Sequence, residues 1–296
     1  MTAVGEWEAL GSRIDVDGHA VWWCDLVPTG DLVGDPVLVL HGFPSSSFDW
    51  RHVVGPWRAA GRRVVLLDFL GFGLSDKPDI RYGIAHHADC VEAVARAAGL
   101  DRVVLVTHDM GDSVGGEVLA RDLDGTLGFD VSRRVLSNGS IYLGMAQLTA
   151  GQQALMGAAD ERFDLASIGV DPQTGFLRGL ADTFAVAPDQ DELDAQWELM
   201  ARDRGHTLLT RTIRYQEDRM ASEARFTGAI ETHPSPLTVV WGELDPIAVL
   251  PMTARLLEAR PDAHLTVLDG VGHYPMIEDP ERFGAAVAAG FSPDGS

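Results

Sequence analysis

An aspartate occupies the position in this chain where a nucleophile would be expected. Asp109 lies within residues 107–111, which follow an apolar run at 103–106 and precede a helical pattern. In the Gly-x-Ser-x-Gly pattern a serine stands on such a strand-to-helix turn, and the backbone NH of the next residue helps to bind an oxyanion. Because aspartate replaces serine here, the sequence predicts a carboxylate nucleophile.

The carboxylate restricts the reaction that Asp109 can perform. Aspartate has a reference pKa of about 3.9, so it is already an anion at neutral pH and needs no base to activate it. Attack on an ester carbonyl would give a reactive mixed anhydride. Attack on a saturated carbon that bears an epoxide oxygen or a halide gives an ordinary alkyl ester instead. Asp109 therefore favours epoxide opening or dehalogenation over simple ester hydrolysis.

A second step must hydrolyse that ester, and His273 is the candidate base for the attacking water. Asp245 follows the apolar run 237–241 and would orient the imidazole and stabilise its positive form. On spacing alone, Asp245 could instead cap the helix before Pro246, and His273 could be an ordinary loop residue. Glu243 is a second, weaker candidate for the acid.

Two further histidines compete with His273 for the role of base. His41 and His108 each lie inside a short motif whose backbone geometry is the functional part. We therefore expect both side chains to form local hydrogen bonds.

The elements around these residues alternate between strands and helices. Short β-branched runs bounded by Gly, Pro, Asp or Asn predict buried strands, at residues 36–40, 63–67, 102–106, 133–136, 237–241 and 264–268. Helical periodicity separates them, at residues 46–60, 83–98, 112–123, 249–259 and 280–289. The turn signal Asp17-Gly18 predicts an antiparallel hairpin between strands at 7–16 and 20–27. This order predicts an α/β fold with a mostly parallel, doubly wound sheet.

Residues 141–230 interrupt the alternation. Helical patterns occur at 147–159, 191–204 and 206–224, with no convincing strand between them. Ligands bind to such sheets outside the carboxyl ends of the strands, where an insertion after residues 133–136 would begin. The prediction is a core domain of residues 1–140 and 231–296 with a helical cap of residues 141–230.

The composition indicates which kinds of molecule the protein is expected to bind. The chain has 44 acidic and 23 basic side chains and a formal charge of -21, which opposes approach to nucleic acid or an anionic membrane. Cys24 and Cys90 are the only cysteines, and we see no Cys/His spacing typical of a metal site. We also find no targeting segment and no apolar run of roughly 18 residues that would suggest a membrane span. We expect a cytoplasmic protein without cofactor or metal, acting on a small, largely apolar organic substrate and water. A homo-oligomer is compatible with this composition.

Five motifs in order resemble the α/β-hydrolase superfamily over nearly the whole chain. They are the elbow at Asp109 and residues 41–44, 70–78, 242–246 and 272–275. The aspartate and His-Gly-Phe-Pro resemble its epoxide hydrolase and haloalkane dehalogenase branch. Within that branch, the chain most resembles the mesoderm-specific transcript proteins, through residues 108–112, 137–139 and 273–275.

The resemblance implies a triad and an oxyanion hole. The triad would consist of Asp109 as nucleophile, Asp245 as acid and His273 as base, in the family's chain order. The backbone NH groups of Phe43 and Met110 would stabilise the oxyanion that forms on Asp109 during ester hydrolysis. Loss of one such donor typically costs about 3 kcal/mol.

The leaving group separates the two leading activities. Haloalkane dehalogenases carry Trp directly after the nucleophile and often Asn or Glu after His-Gly, where this chain has Met110 and Phe43. Haloacid dehalogenases of this branch carry Arg after the nucleophile, which is absent as well. Epoxide hydrolases donate a proton from two cap tyrosines, and Tyr215 lies at about the position of one of them. The alternative for Tyr215 is a packing role in the cap.

The second of those tyrosines has no counterpart. Family spacing would put it near Leu155 and Met156, where this chain has none. Tyr142, at the entrance of the cap, is the other candidate for the second proton donor. Alternatively, Tyr215 could act as the only tyrosine donor, with water or His206 as its partner.

Two further departures concern the elbow. Thr107 occupies a position usually held by glycine or another small residue, where a β-branched side chain is expected to crowd the turn. Asp112 adds a second carboxylate one helical turn from Asp109, and its expected role is to cap or stabilise the first turn of the helix. If the two carboxylates were close, repulsion would raise the pKa of Asp109.

Three functions are compatible with these residues. The favoured one is an epoxide hydrolase that makes vicinal diols through an Asp109 ester. The second is another hydrolase on the same scaffold, a dehalogenase or an esterase or lactonase that uses Asp109 as a base. The third is a non-catalytic ligand-binding homologue, since a fold alone does not prove activity.

Overall fold

An eight-stranded sheet forms the centre of the protein, as seen in a computed structural model that describes residues 2–292. The strands in chain order are β1 (Ser12–Val16), β2 (His19–Leu26), β3 (Val37–Leu40), β4 (Val64–Leu67), β5 (Arg102–His108), β6 (Asp130–Ser137), β7 (Leu237–Gly242) and β8 (His264–Leu268). Their spatial order is β1-β2-β4-β3-β5-β6-β7-β8. β2 pairs antiparallel with β1 and β4, and the remaining pairs are parallel. The α/β fold class and the mostly parallel sheet are thereby confirmed.

Helices follow the strands. They are α1 (Ala3–Glu8), α2 (Val54–Ala59), α3 (Ile84–Ala97), α4 (Met110–Leu123), α5 (Ala150–Gly157), α6 (Pro172–Ala181), α7 (Gln190–Ala201), α8 (Leu209–Thr212), α9 (Tyr215–Thr232), α10 (Pro251–Ala259), α11 (Pro275–Glu278) and α12 (Pro280–Ala289). Among residues 2–292, no helix combines the length and apolar composition needed to cross a membrane.

Both faces of the sheet are covered. Along β3, Leu38 and Leu40 belong to one buried apolar cluster, while Val37 and Val39 belong to another. Successive residues of a strand point to opposite faces, so the two clusters lie on opposite sides of the sheet. Burial from both sides explains why the central strands read as continuous apolar runs.

The amino-terminal strand begins later than the sequence predicts. Residues 3–8 form α1, so the expected strand at 7–16 starts only at Ser12. Thr2 caps α1 by accepting a hydrogen bond from the Gly5 amide, and Val4 and Trp7, three residues apart, bury one face of it. The predicted hairpin turn is confirmed, with Asp17 and Gly18 both at positive φ.

The segment between β6 and β7 contains helices and loops but no strand. The expected helix at 206–224 is divided, because a 3₁₀ helix at Arg202–Leu208 and a break at Ser222 interrupt it. α6 lies in a region for which the sequence analysis made no assignment. α9 packs along α4 of the core, and the boundaries of the cap at residues 141 and 230 stay a prediction.

Candidate active site

Asp109 stands alone between β5, which ends at His108, and α4, which begins at Met110. Its φ of 52° and ψ of -115° are rare for a residue with a side chain. The turn also brings Gly111 against the chain, since a Cβ there would lie 2.6 Å from the carbonyl oxygen of Leu40. This tight turn holds the Asp109 carboxylate at the carboxyl edge of the sheet.

Thr107 fits beside the elbow because of a second glycine. A Cβ on Gly115, in the second turn of α4, would lie 2.8 Å from Cγ2 of Thr107. The missing side chain of Gly115 therefore provides the space that the threonine methyl group fills. The Thr107 hydroxyl donates a hydrogen bond to Asp112.

One oxygen of Asp109 is held by backbone amides. The Phe43 amide nitrogen donates to Oδ1 at 2.7 Å, and the Met110 amide is near enough to help lower the pKa of this carboxyl group. Close approach requires glycine before Phe43, because a Cβ on Gly42 would lie 2.7 Å from Cβ of Asp109. Oδ1 therefore occupies the position that sequence analysis assigns to the oxyanion.

The other oxygen of Asp109 faces His273. Nε2 of His273 lies 3.6 Å from Oδ2, and Nδ1 lies 2.8 Å from Oδ2 of Asp245. The second oxygen of Asp245, Oδ1, accepts from the amides of Ile247 and Ala248 at 2.7 and 3.0 Å. Asp245 thus caps its turn and contacts the histidine at the same time, so these two roles are not alternatives.

Asn138 is a site residue that the sequence analysis did not assign. Its Nδ2 donates to Oδ2 of Asp245 at 2.7 Å, and its Oδ1 accepts from the Gly242 amide at 3.0 Å. Asn138 follows β6 with a φ of 49°. It ties the end of β6 to the Asp245 loop and helps to fix the orientation of that carboxylate.

The competing residues have other partners. Nε2 of His41 accepts from the Phe69 amide at 2.9 Å, and Nδ1 of His108 lies 3.2 Å from the Ser137 carbonyl oxygen. Glu243 accepts from the Gly270 amide at 3.1 Å. The two histidines form local hydrogen bonds as expected, and Glu243 does not replace Asp245 at His273.

Burial and charge set the protonation of the central groups. Burial raises the pKa of Asp109, while the positive charge of His273 and the two amide donors limit the rise. Burial alone would lower the pKa of His273, but Asp245 and Asp109 outweigh it and raise this pKa to about 9. At neutral pH the imidazole of His273 is therefore mainly protonated and lies between Asp245 and Asp109.

Asp112 is a second buried carboxyl group near Asp109. Burial, with a smaller contribution from the Asp109 charge, raises the pKa of Asp112 well above its ordinary value. In this structure Asp112 serves as the acceptor for Thr107 and links the end of β5 to the first turn of α4.

A cavity of about 380 Å³ lies next to the residues that contact Asp109. Phe43 and His273, which contact Asp109, form part of its wall, together with Tyr274. Apolar side chains from the segment between β6 and β7 form much of the rest, namely Leu155, Phe163, Leu165, Phe176, Leu180 and Leu209. A cavity of this size and lining suits a small, mainly apolar molecule.

The two tyrosines singled out in the sequence have different surroundings. Tyr215 is buried, its ring centroid lies 5.7 Å from that of Phe43, and burial and the Asp109 charge raise its pKa. The Gln216 side-chain amide donates to its hydroxyl oxygen at 2.8 Å. Tyr142 instead donates to Glu231 at 2.8 Å. Neither tyrosine is among the residues that line the cavity described above. Tyr215 lies beside Phe43 and near enough to Asp109 for that charge to affect its pKa, whereas the Tyr142 hydroxyl is bound to Glu231.

A sequence model of the alpha/beta hydrolase family matches residues 37–286. LipZ of Mycobacterium tuberculosis is 43% identical over 256 residues, which cover 84% of this chain and 86% of LipZ. The human mesoderm-specific transcript homolog protein is 32% identical over 293 residues, 95% of this chain and 85% of that protein.

Solved structures show the same architecture. The epoxide hydrolase CorEH superposes with a TM-score of 0.75 at 18% identity, covering 96% of this chain and 98% of CorEH. A loop variant of the haloalkane dehalogenase DbeA from Bradyrhizobium elkanii gives 0.71 at 21% identity, covering 94% of both chains. At such identities the likeness concerns the fold, and it does not discriminate between the two chemistries.

Proposed function

The chain belongs to the alpha/beta hydrolase family, and we propose that it hydrolyses epoxides to vicinal diols through a covalent ester on Asp109. Within this proposal Asp109, His273 and Asp245 form the catalytic triad. Phe43 and Met110 supply the oxyanion hole through their backbone.

The observation that carries the proposal is the position of the two Asp109 oxygens. Oδ1 accepts from the Phe43 amide at 2.7 Å, so the hole is occupied by the enzyme's own oxygen. In serine hydrolases the hole receives the carbonyl oxygen of the substrate. Here the amides are placed to stabilise charge on Asp109 when its ester is hydrolysed, while Oδ2 is left for attack. This arrangement favours substrates that alkylate a carboxylate.

In the first half of the reaction Oδ2 of Asp109 attacks an epoxide carbon. The carbon–oxygen bond breaks, its electron pair stays on oxygen, and Tyr215 donates a proton to that oxygen. Burial and the nearby Asp109 charge keep the Tyr215 hydroxyl protonated. Ester formation removes the charge of Asp109, one of the carboxylates that raise the pKa of His273. The imidazolium then loses its proton, which returns through water to the phenolate of Tyr215, and His273 becomes available as a base.

In the second half His273 takes a proton from water, and the hydroxide attacks the carboxyl carbon of Asp109. Negative charge develops on Oδ1, where the Phe43 and Met110 amides stabilise it. The ester bond breaks, the diol leaves with the remaining water proton, and Asp109 returns as a carboxylate. Asp245 holds the imidazole by its Nδ1 throughout.

The cavity favours an apolar epoxide. Leucine and phenylalanine side chains from the segment that we assign to the cap face the site, so a hydrocarbon substituent would be desolvated there. Water is the only other reactant that the mechanism requires.

Dehalogenation is the second candidate because it uses the same alkyl ester. A departing halide needs NH donors, and the side chains of Met110 and Phe43 offer none. Ester or lactone hydrolysis with Asp109 as base would need an oxyanion site for the substrate, and Oδ1 already occupies the amides.

Purified protein should be incubated with a panel of terminal epoxides and with the chloroalkanes of the same carbon skeleton. We expect diols from the epoxides and much slower halide release. Tyr215→Phe should slow diol formation at least tenfold, and Tyr142→Phe is the matched control, expected to retain full activity. Halide release without diol formation would replace the proposal with the dehalogenase.

A further inference from the structure

The hydroxyl group of Tyr215 ends a hydrogen-bonded chain on its own helix. Nε2 of Gln216 donates to the Tyr215 hydroxyl oxygen at 2.8 Å, and Nη1 of Arg219 donates to Oε1 of Gln216 at 2.8 Å. Residues three and four apart lie on one face of a helix, so Arg219 lies beside both of the others. All three side chains are buried, so these hydrogen bonds form away from solvent.

Arg219 fixes which atom of the Gln216 amide faces the tyrosine. A guanidinium group has donors only, so the Gln216 atom that faces it must be the oxygen. The amide nitrogen, which is a donor, then faces the Tyr215 hydroxyl. The hydroxyl oxygen accepts from Gln216, and its own proton must be directed elsewhere. Among residues 2–292 we find no acceptor for that proton, so it is available to a bound ligand.

The loop after β6 holds the guanidinium of Arg219. Nη1 donates to the Ser140 hydroxyl at 3.1 Å, and Nη2 donates to the Ser140 carbonyl oxygen. Ser140 and Gln216 are both uncharged, so these hydrogen bonds leave the positive charge without a directly bonded carboxylate. Burial lowers the pKa of Arg219, and Tyr215 and Asp109 oppose this shift because they lie close to its charge.

Phe43 connects this chain to the nucleophile. The ring centroid of Phe43 lies 5.7 Å from that of Tyr215, and Phe43 lines the cavity. The amide of the same residue donates to Oδ1 of Asp109. The hydrogen-bonded chain therefore runs from Ser140 to a tyrosine that packs on the residue holding Asp109.

We propose that Gln216 and Arg219 are positioning residues for proton donation by Tyr215: Gln216 directs the phenol proton towards the substrate, and Arg219 stabilises the phenolate that donation leaves behind. The proposal rests on the epoxide hydrolase function above. It assigns part of the work of the second cap tyrosine, which has no counterpart near Leu155 and Met156, to an amide and a guanidinium on the helix of the first.

The proton and the charge have defined places in the ring-opening step. When Oδ2 of Asp109 attacks the epoxide carbon, the electron pair of the breaking carbon–oxygen bond stays on oxygen, which takes the Tyr215 proton. The phenolate then accepts a stronger hydrogen bond from Nε2 of Gln216, because the acceptor is now charged. Arg219 polarises the same amide through Oε1. The proton that His273 loses returns to the phenolate through water and restores the hydroxyl.

The test replaces Gln216 by a carboxylate of the same shape. In Gln216→Glu one oxygen can still accept from Arg219, while the other accepts the Tyr215 proton and withdraws it from the substrate. Gln216→Met leaves that proton available and removes only the hydrogen bond to the phenolate. Single-turnover formation of the Asp109 ester, measured by rapid quench and mass spectrometry, should slow at least tenfold in Gln216→Glu and about threefold in Gln216→Met.

The matched control is Gln153→Glu, which makes the same substitution at an exposed glutamine of α5 and should react at the wild-type rate. A packing role for Gln216 predicts the opposite order of the two variants, since glutamate keeps the contact with Arg219 and methionine loses it. In a Tyr215→Phe background, Gln216→Glu should cause no further loss, because no phenol proton is left to withdraw. Thermal unfolding of each variant verifies the fold.

A second readout addresses Arg219. An epoxide with a trifluoromethyl substituent gives a less basic alkoxide, which depends less on the donated proton. Arg219→Met should therefore slow its opening less than that of the parent epoxide, and equal slowing would overturn the role of Arg219.

Three results would overturn the role of Gln216 and leave the Asp109 ester intact. They are a Gln216→Glu rate that equals or exceeds that of Gln216→Met, an undiminished effect of Gln216→Glu in the Tyr215→Phe background, and a wild-type rate in Tyr215→Phe itself. Absence of any ester in the wild-type protein would overturn this inference and the proposed function together.

Discussion

The Phe43 amide nitrogen lies 2.7 Å from Oδ1 of Asp109. In the proposed mechanism Asp109 is the nucleophile, and this amide stabilises the charge that develops on Asp109 itself. The proposal thereby connects this contact to a two-step reaction in which the enzyme's own carboxyl carbon is attacked.

Gly42→Ala tests the close approach behind this contact. The new Cβ would lie 2.7 Å from Cβ of Asp109, so the Phe43 amide and Oδ1 must separate. We expect ester hydrolysis to slow about 10²-fold, as when one oxyanion donor is lost. Gly55→Ala is the control, since a Cβ there meets no atom within 4 Å. Equal rates of ester hydrolysis in the two variants would show that the Phe43 amide does not contribute to catalysis.

His273→Gln should separate the two halves of the reaction. Without a base for water, the ester on Asp109 should accumulate, and intact-protein mass spectrometry should find the chain heavier by one substrate. Asp245→Asn should also accumulate ester, because it removes the charge that keeps His273 oriented and basic. Glu243→Gln alters the competing acid and should turn over normally. Free product without accumulated ester in His273→Gln would assign the base to another group.

Because the Thr107 methyl group fills the space beside Gly115, substitutions at these two positions should have non-additive effects on the free energy of unfolding. Gly115→Ala places a Cβ 2.8 Å from the Thr107 methyl carbon and should destabilise the protein by about 1–3 kcal/mol. Thr107→Ser removes that methyl group and keeps the hydroxyl that donates to Asp112. In the double variant the alanine should cost less, which denaturant unfolding of the four proteins will measure. Additive free energies would indicate that the two positions do not share this space.

The raised pKa of His273 predicts a loss of stability at alkaline pH. An imidazolium that Asp245 and Asp109 stabilise in the folded state contributes fully below the unfolded pKa of about 6.5. The contribution is lost as pH rises through about 9. The difference in unfolding free energy between the wild type and His273→Gln should therefore shrink by about 3 kcal/mol from pH 6 to pH 10. His264→Gln, at an exposed position, is the control, and a constant difference would contradict the shift.

The strands and the elbow could be predicted because their signals are local. The apolar run before Asp109 and the glycine at 111 lie within a few residues of each other, and β5 and α4 follow from them. The sequence analysis did not predict α1, because it assigned Trp7 to the start of a strand. In the structure Trp7 is buried together with Val4, three residues earlier, which is the spacing of one helix face.

Contacts between distant parts of the chain could not be predicted in the same way. Tyr142 was a candidate by its place near the cap, but Glu231, 89 residues away, accepts its hydrogen bond. Asn138 contacts Asp245 across 107 residues, and Tyr274 approaches Phe43 across 231. Sequence spacing identified the triad candidates through a family pattern, while the orientation of the other side chains depends on tertiary packing.

A single turnover in oxygen-18 water tests the covalent role of Asp109 most directly. Enzyme in excess over an epoxide substrate should release a diol without label, since the first product takes its new oxygen from Oδ2. Peptide mass spectrometry should then find one oxygen-18 atom in the peptide that contains Asp109. Label in the first diol and none in that peptide would show that water attacks the epoxide directly, and it would contradict the covalent mechanism.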